Sequence, residues 1–140
     1  MRKVCLAVAM MASMSAQAAE SYTIDPTHTY PNFEINHLGF STMHGRFDKT
    51  SGKLTIDWAK NTGSVDITID AGSVSTGMKK RDDHLMSPDF LNAAEFPEIT
   101  YQSTKVMINK DKSAKVEGNL TIMGVSKPVT LTVASINCGD

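Results

Sequence analysis

Cysteine is almost missing from this chain. Only Cys5 and Cys138 occur in 140 residues, which excludes a disulfide-stapled scaffold and leaves no thiol set for a zinc finger. An excess of basic charge is missing too, with 14 Lys and Arg against 15 Asp and Glu. No electrostatic field favours a nucleic acid or an anionic bilayer, so polyanionic partners are not expected. Long apolar runs are confined to the N-terminus, and there are no internal repeats, low-complexity tracts or linker-like stretches. The length suits one domain with a single modest core and is too short for two.

What is present begins with an export address. Arg2 and Lys3 form a basic start, Val4 to Met14 an apolar run and Ala16-Gln17-Ala18 a small-residue cleavage site. The run is shorter than the roughly 20 residues a membrane span needs. Residues 1–18 are therefore expected to be a signal peptide, residues 19–140 the mature domain, and the location periplasmic. Taking Arg2 and Lys3 from the 14 basic residues leaves 12 against 15 acidic ones, a net charge of about −3. Cys5 departs with the signal and sits too early for a lipoprotein site. Cys138 then stands alone, as an intermolecular bond, a free thiol or half of a pair whose partner is absent.

Period-two alternation dominates the remainder. Ser64-Val65-Asp66-Ile67-Thr68-Ile69-Asp70 places an apolar residue at every second position, the mark of a strand with one wet face. Lys53 to Trp58 repeats it with Leu54 and Ile56, as do Val116, Gly118, Leu120 and Ile122, then Val129, Leu131 and Val133. Between Ile99 and Ile108 the apolar face changes phase, which predicts a bulge. Phe33, Ile35 and His37 share one face nearer the N-terminus, with His37 a polar point in an apolar row. Turns are expected at Thr50-Ser51-Gly52, Asn61-Thr62-Gly63, Asn109 to Lys112 and Met123 to Ser126. Such spacing predicts an antiparallel all-β meander rather than βαβ units.

One insertion interrupts the strands, at about residues 77–96. Ser87-Pro88-Asp89 reads as N-cap, N1 and N2 of a short helix, and Pro97 turns the chain extended again. Its apolar residues Leu85, Phe90, Leu91 and Phe96 need something to cover, so the segment reads as a lid over a cavity.

The candidates for chemistry are weak. His28, His37, His44 and His84 lie neither in a His-Glu-x-x-His motif nor at finger spacing, so no metal site is expected. His84, Ser87 and Asp89 invite a triad, yet Ser87 is already explained as a cap and no G-x-S-x-G elbow exists. Arg81, within Lys79-Lys80-Arg81-Asp82-Asp83, has the planar fork that suits a phosphate or carboxylate, the alternative being a solvated helix face.

Several landmarks converge: Tyr22-Thr23-Ile24-Asp25, Phe33 to Phe40, Gly45-Arg46-Phe47, the string Arg81-Asp82-Asp83-His84-Leu85-Met86-Ser87-Pro88-Asp89-Phe90 with Phe96-Pro97, and Gly118 to Val129. In this order they resemble the YceI-like family of exported lipid-binding proteins, across essentially the whole mature chain. The resemblance implies a lipocalin-like antiparallel β-barrel holding a polyisoprenoid, such as a polyprenyl phosphate or isoprenoid quinone, with no other cofactor, no metal and no catalytic centre. Carried onto this chain, it implies a pore lined by Phe33, Ile35, Leu54, Ile56, Ile67, Ile69, Ile99, Leu120, Ile122 and Leu131. Leu85, Phe90 and Phe96 would close the pore, and Arg81 or His37 would orient a head group.

Family members continue for several strands beyond the region matching Val129 to Ile136, so the barrel is expected to be incomplete at the C-terminus. In one branch of the family a second cysteine follows the Cys-Gly pair, as an implied partner of Cys138. Unpaired edges would invite a homodimer, and a lipid cargo would bring transient contact with a membrane. The competing expectation is a β-sandwich interaction module whose faces are filled by side chains, since a filled core and an empty pore share one alternation.

Overall fold

The described residues form nine strands and one α-helix. The structure, a computed structural model, describes residues 18–139; all but the last residue of the expected signal peptide, with Cys5, lies outside them. The strands are β1 (Glu20–Thr23), β2 (Asn32–His37), β3 (Ser41–Phe47), β4 (Thr50–Asp57), β5 (Thr62–Asp70), β6 (Val74–Ser75), β7 (Glu98–Ile108), β8 (Ala114–Ile122) and β9 (Val125–Val133), with helix α1 at Lys79–Met86. A six-stranded sheet runs β1-β4-β5-β7-β8-β9, a three-stranded one β2-β3-β6, and every pairing is antiparallel. The two sheets do not close into a barrel among the described residues, which leaves β1, β9, β2 and β6 as edges.

Alternation fixes which way each strand faces, because a one-residue slip would turn every apolar side chain to water. One cross-strand row runs Gly52, Ile67, Tyr101, Leu120, Lys127, and Thr50 pairs with Ile69, which pairs with Ile99. The register shifts between Ser103 and Lys105, the bulge that the phase change predicts. Ser103 Oγ accepts from the Val65 amide at 2.8 Å across the disturbed ladder.

Small residues decide where large ones lie. Gly45 faces Phe33, and a Cβ there would fall 2.3 Å from the ring, so only glycine lets Phe33 lie flat across the hairpin. Gly118 does the same for Tyr101, whose hydroxyl donates to the carbonyls of Val116 at 3.0 Å and Val129 at 3.1 Å. The dry core gathers around Ile56, Tyr101, Val106, Ile108, Ala114 and Val116, with Leu54, Trp58 and Val65 against it. It occupies one end of the large sheet only.

Three local expectations need correction, the first being that Thr62 and Gly63 of the expected Asn61-Thr62-Gly63 turn open β5, with the turn at residues 58–61. The helix ends at Ser87 instead of starting there: Ser87 is its extended C-terminal cap, and its hydroxyl donates to the His84 carbonyl at 2.7 Å. Pro88 is the reason, because it drives the residue before it out of helical geometry. Thr50-Ser51-Gly52 is not a turn but the opening of β4, in register with Thr68 and its neighbours. Met123-Gly124 is a turn, with both residues at positive φ (49° and 71°), as a tight two-residue hairpin demands.

Candidate functional site

At the end of the sheet away from the dry core, the two sheets and α1 enclose an apolar trough of about 510 Å³. The hairpin β2–β3 contributes Phe33, Ile35 and Phe47; the large sheet contributes Ile69, Ile99, Leu120 and Ile122; Val74 comes from β6. Leu85 of α1, with Phe90 and Leu91 just beyond it, forms the cover. None of these side chains is charged or polar. Their volume lies in the roughly 300–1,000 Å³ range of pockets that hold organic ligands.

The cover is held from outside the trough. Beyond the helix the chain folds back: the Leu91 amide donates to the Leu85 carbonyl at 2.9 Å and the Ala93 amide to that of Met86 at 3.0 Å. Asn92, at φ 45°, makes the reversal. Phe90 meets His84 edge-on with ring centroids 4.9 Å apart, and His84 Nε2 lies 3.3 Å from Asp89 Oδ2. At the helix entry, Arg81 Nε donates to Thr76 Oγ1 at 2.7 Å and Nη2 to the Thr76 carbonyl at 2.8 Å, while Nη1 lies 3.9 Å from Met43 Sδ.

A second depression of about 280 Å³ adjoins the trough through Ile69 and Leu120, with Ile67, Tyr30, Thr50, Tyr101, Val129 and Leu131 around it. Here sits a buried Thr50 hydroxyl with no hydrogen-bond partner among the described residues. A third, beyond Leu120 and Ile122, reaches Val125, Lys127 and Val129 on β9. Leu120 borders all three.

The expected lining residues therefore divide. Phe33, Ile35, Ile69, Leu85, Phe90, Ile99, Leu120 and Ile122 surround the trough, and Ile67 and Leu131 the depression beside it. Leu54 and Ile56 do not line it: Ile56 belongs to the packed core with Val106 and Val116, and Leu54 packs against that core. Phe96 lies instead against the Met123-Gly124 turn, 3.3 Å from where a Gly124 Cβ would be. His37 is exposed, beyond the end of the trough, and Arg81 is occupied in tying the helix entry to Thr76. Sequence reasoning did not place Phe47 or Val74 in the lining, and it named Leu91 only as part of the lid. Leu91 was legible beside Phe90, whereas Val74 belongs to a two-residue strand too short to show any period.

No titratable group lines the trough, and those with shifted ionisation lie elsewhere. Hydrogen bonds from Thr27 and then His28 hold Asp25 down to about 2, on an exposed loop. Burial pushes the Tyr101 phenol up, with Glu117 adding to it. Ser87 Oγ donates to the His84 carbonyl rather than to its ring, so the triad geometry is not assembled. Among the described residues no cluster of His, Cys, Asp or Glu could hold a metal, and no helix is long and apolar enough to cross a membrane. Cys138 is exposed and free.

Residues 22–139 match the YceI-like domain profile. The chain belongs to the YceI-like family. It is 43% identical over 139 residues to a UPF0312 protein of Pseudomonas aeruginosa, an alignment that spans 96% of this chain and 71% of the relative. Protein YceI of Salmonella arizonae matches with the same identity and the same shares. Among solved structures, BcnA of Burkholderia cenocepacia superposes with a TM-score of 0.74 at 27% identity, covering 83% of this chain and 73% of BcnA. The YCEI protein of Campylobacter jejuni superposes at 0.62 with 37% identity, over 79% and 66%.

Proposed function

We propose that the protein binds a polyisoprenoid or similar long-chain lipid in the trough and acts as a periplasmic carrier or store, without transforming its cargo. The observation that carries this reading is the lining: eleven side chains around about 510 Å³, all apolar. A site that must recognise a polar metabolite needs fixed donors and acceptors. This one offers only contact area, which suits a chain of carbons. At roughly 0.3 kcal/mol per heavy atom, some 20 carbons in contact would supply on the order of 6 kcal/mol. The YceI-like resemblance points to the same class of ligand. Thr29, Tyr30, Thr50 and Lys127 are polar residues beside the adjoining depressions, and Lys127, the charged one, takes the head-group role in preference to Arg81 and His37. The basic and apolar opening of the chain supports export.

The β-sandwich alternative requires faces filled by side chains, and the dry core does fill one end of the large sheet. The other end encloses a cavity. Ile69→Asp is the test, because Ile69 borders the trough and its neighbour but stands outside the core cluster. Mass spectrometry of organic extracts from protein exported to a bacterial periplasm should recover a prenyl or acyl lipid with the parent chain and none with Ile69→Asp. Empty extracts from the folded parent would sink the reading.

A further inference from the structure

The β2–β3 hairpin ends in Leu38-Gly39-Phe40, where Leu38 is 80% and Phe40 89% exposed, the two barest large hydrophobics among the described residues. The trough does not use them. Between Ile35 and Gly45 there is no Asp, Glu, Lys or Arg, so this hairpin end can leave water without stripping a permanent charge. Its turn is also closed upon itself: the Gly39 amide donates to Asn36 Oδ1 at 2.7 Å and the Phe40 amide to the His37 carbonyl at 3.0 Å. Internal satisfaction of backbone amides is the condition for entering hydrocarbon. Glu34, the carboxylate nearest along the strand, lies 3.3 Å from His44 Nδ1 and further from the tip.

We propose that the Leu38-Gly39-Phe40 tip is a membrane-docking element that inserts into the interface of a lipid bilayer. A lipid surface fits better than a protein groove, because the tip is a bare apolar point, free of permanent charge, whose Gly39 and Phe40 amides are already bonded. The same hairpin leads to the trough: Ile35 lines it and is itself 52% exposed. Three residues separate Ile35 from Leu38, about 10 Å along a strand. A docked tip thus brings the trough to within one strand's reach of the bilayer. The proposal rests on the lipid-binding reading for its purpose, but its geometry is independent of it.

The test is vesicle co-sedimentation of the purified protein with phosphatidylcholine unilamellar vesicles, with and without phosphatidylglycerol. Leu38→Asn, which suits the φ of 56° at that position, is combined with Phe40→Ser. Burying one large apolar side chain is worth one to two factors of ten, so the double variant should partition at least about tenfold less. Parent binding should be similar on both vesicle types, since the tip carries no permanent charge. Phe40→Trp should show a blue-shifted emission, beyond any change at Trp58, when vesicles are added. A parent that stays in the supernatant, equal partitioning of parent and double variant, or unshifted Trp emission would each overturn the proposal. So would a parent that is dimeric without binding vesicles and becomes monomeric on tip substitution, because the tip would then be a contact between copies. The two readings separate cleanly: the double variant keeps uptake of detergent-solubilised lipid, whereas Ile69→Asp loses uptake and keeps vesicle binding.

Discussion

Gly118 shows how much one missing methyl group can fix. A Cβ built there would stand 2.5 Å from the Gln102 carbonyl oxygen and 2.7 Å from the Tyr101 hydroxyl. Tyr101 has no other place to go, because its hydroxyl is committed to two carbonyls and its ring to the core. Gly118→Ala should therefore destabilise the fold by about 1–3 kcal/mol, the usual cost of overpacking. A lower urea midpoint with an unchanged m-value is the expected result, and an unchanged midpoint would show that Tyr101 can move aside. The sequence displayed Gly118 only as one beat in an alternating row. That the ring of Tyr101 reaches over it from the neighbouring strand depends on register, which no local pattern states.

At the scale of elements, β9 is the instructive strand. Among the described residues it is an edge, and its inward row reads Val125, Lys127, Val129, Leu131, Val133. A lysine turned toward the apolar side of an edge strand blunts pairing with another chain, and Pro128 beside it removes an amide that a new strand would need. Lys127→Val should increase self-association, seen as a concentration-dependent shift in sedimentation velocity. A variant as monodisperse as the parent would leave Lys127 only its place beside the trough. Element by element, the strands were legible because their faces differ so sharply, and the bulge announced itself as a change of phase. The helix was misplaced. Ser87-Pro88-Asp89 carries the letters of a helix start, but Lys79 to Met86 lacks an apolar period and is held by the Thr76–Arg81–Asp82 network, which only the folded chain brings together.

For the molecule as a whole, ligand and stability are linked. A lipid that binds only the folded state adds RT ln(1 + [L]/Kd), about 2.7 kcal/mol at a hundredfold excess over Kd. For a domain of this size that is a rise in Tm of about 10 °C. Thermal melts with a C20 isoprenoid alcohol should show this for the parent and not for Ile69→Asp; equal shifts in both would place the lipid outside the trough. Most lining residues could be read from parity, since Ile69, Ile99, Leu120 and Ile122 all fall on inward positions. Parity could not say which inward positions face a void. Leu54 and Ile56 obey the same rule yet sit where the space is filled.

The confinement of the dry core to one end of the large sheet bears on how such a chain can change over time. Side chains at the centre of the dry core, such as Ile56, Val106 and Val116, are not those on the exposed side of the trough, such as Ile35, Ile122 and Phe90. Substitutions at those exposed lining positions should therefore reshape the trough at little cost to folding.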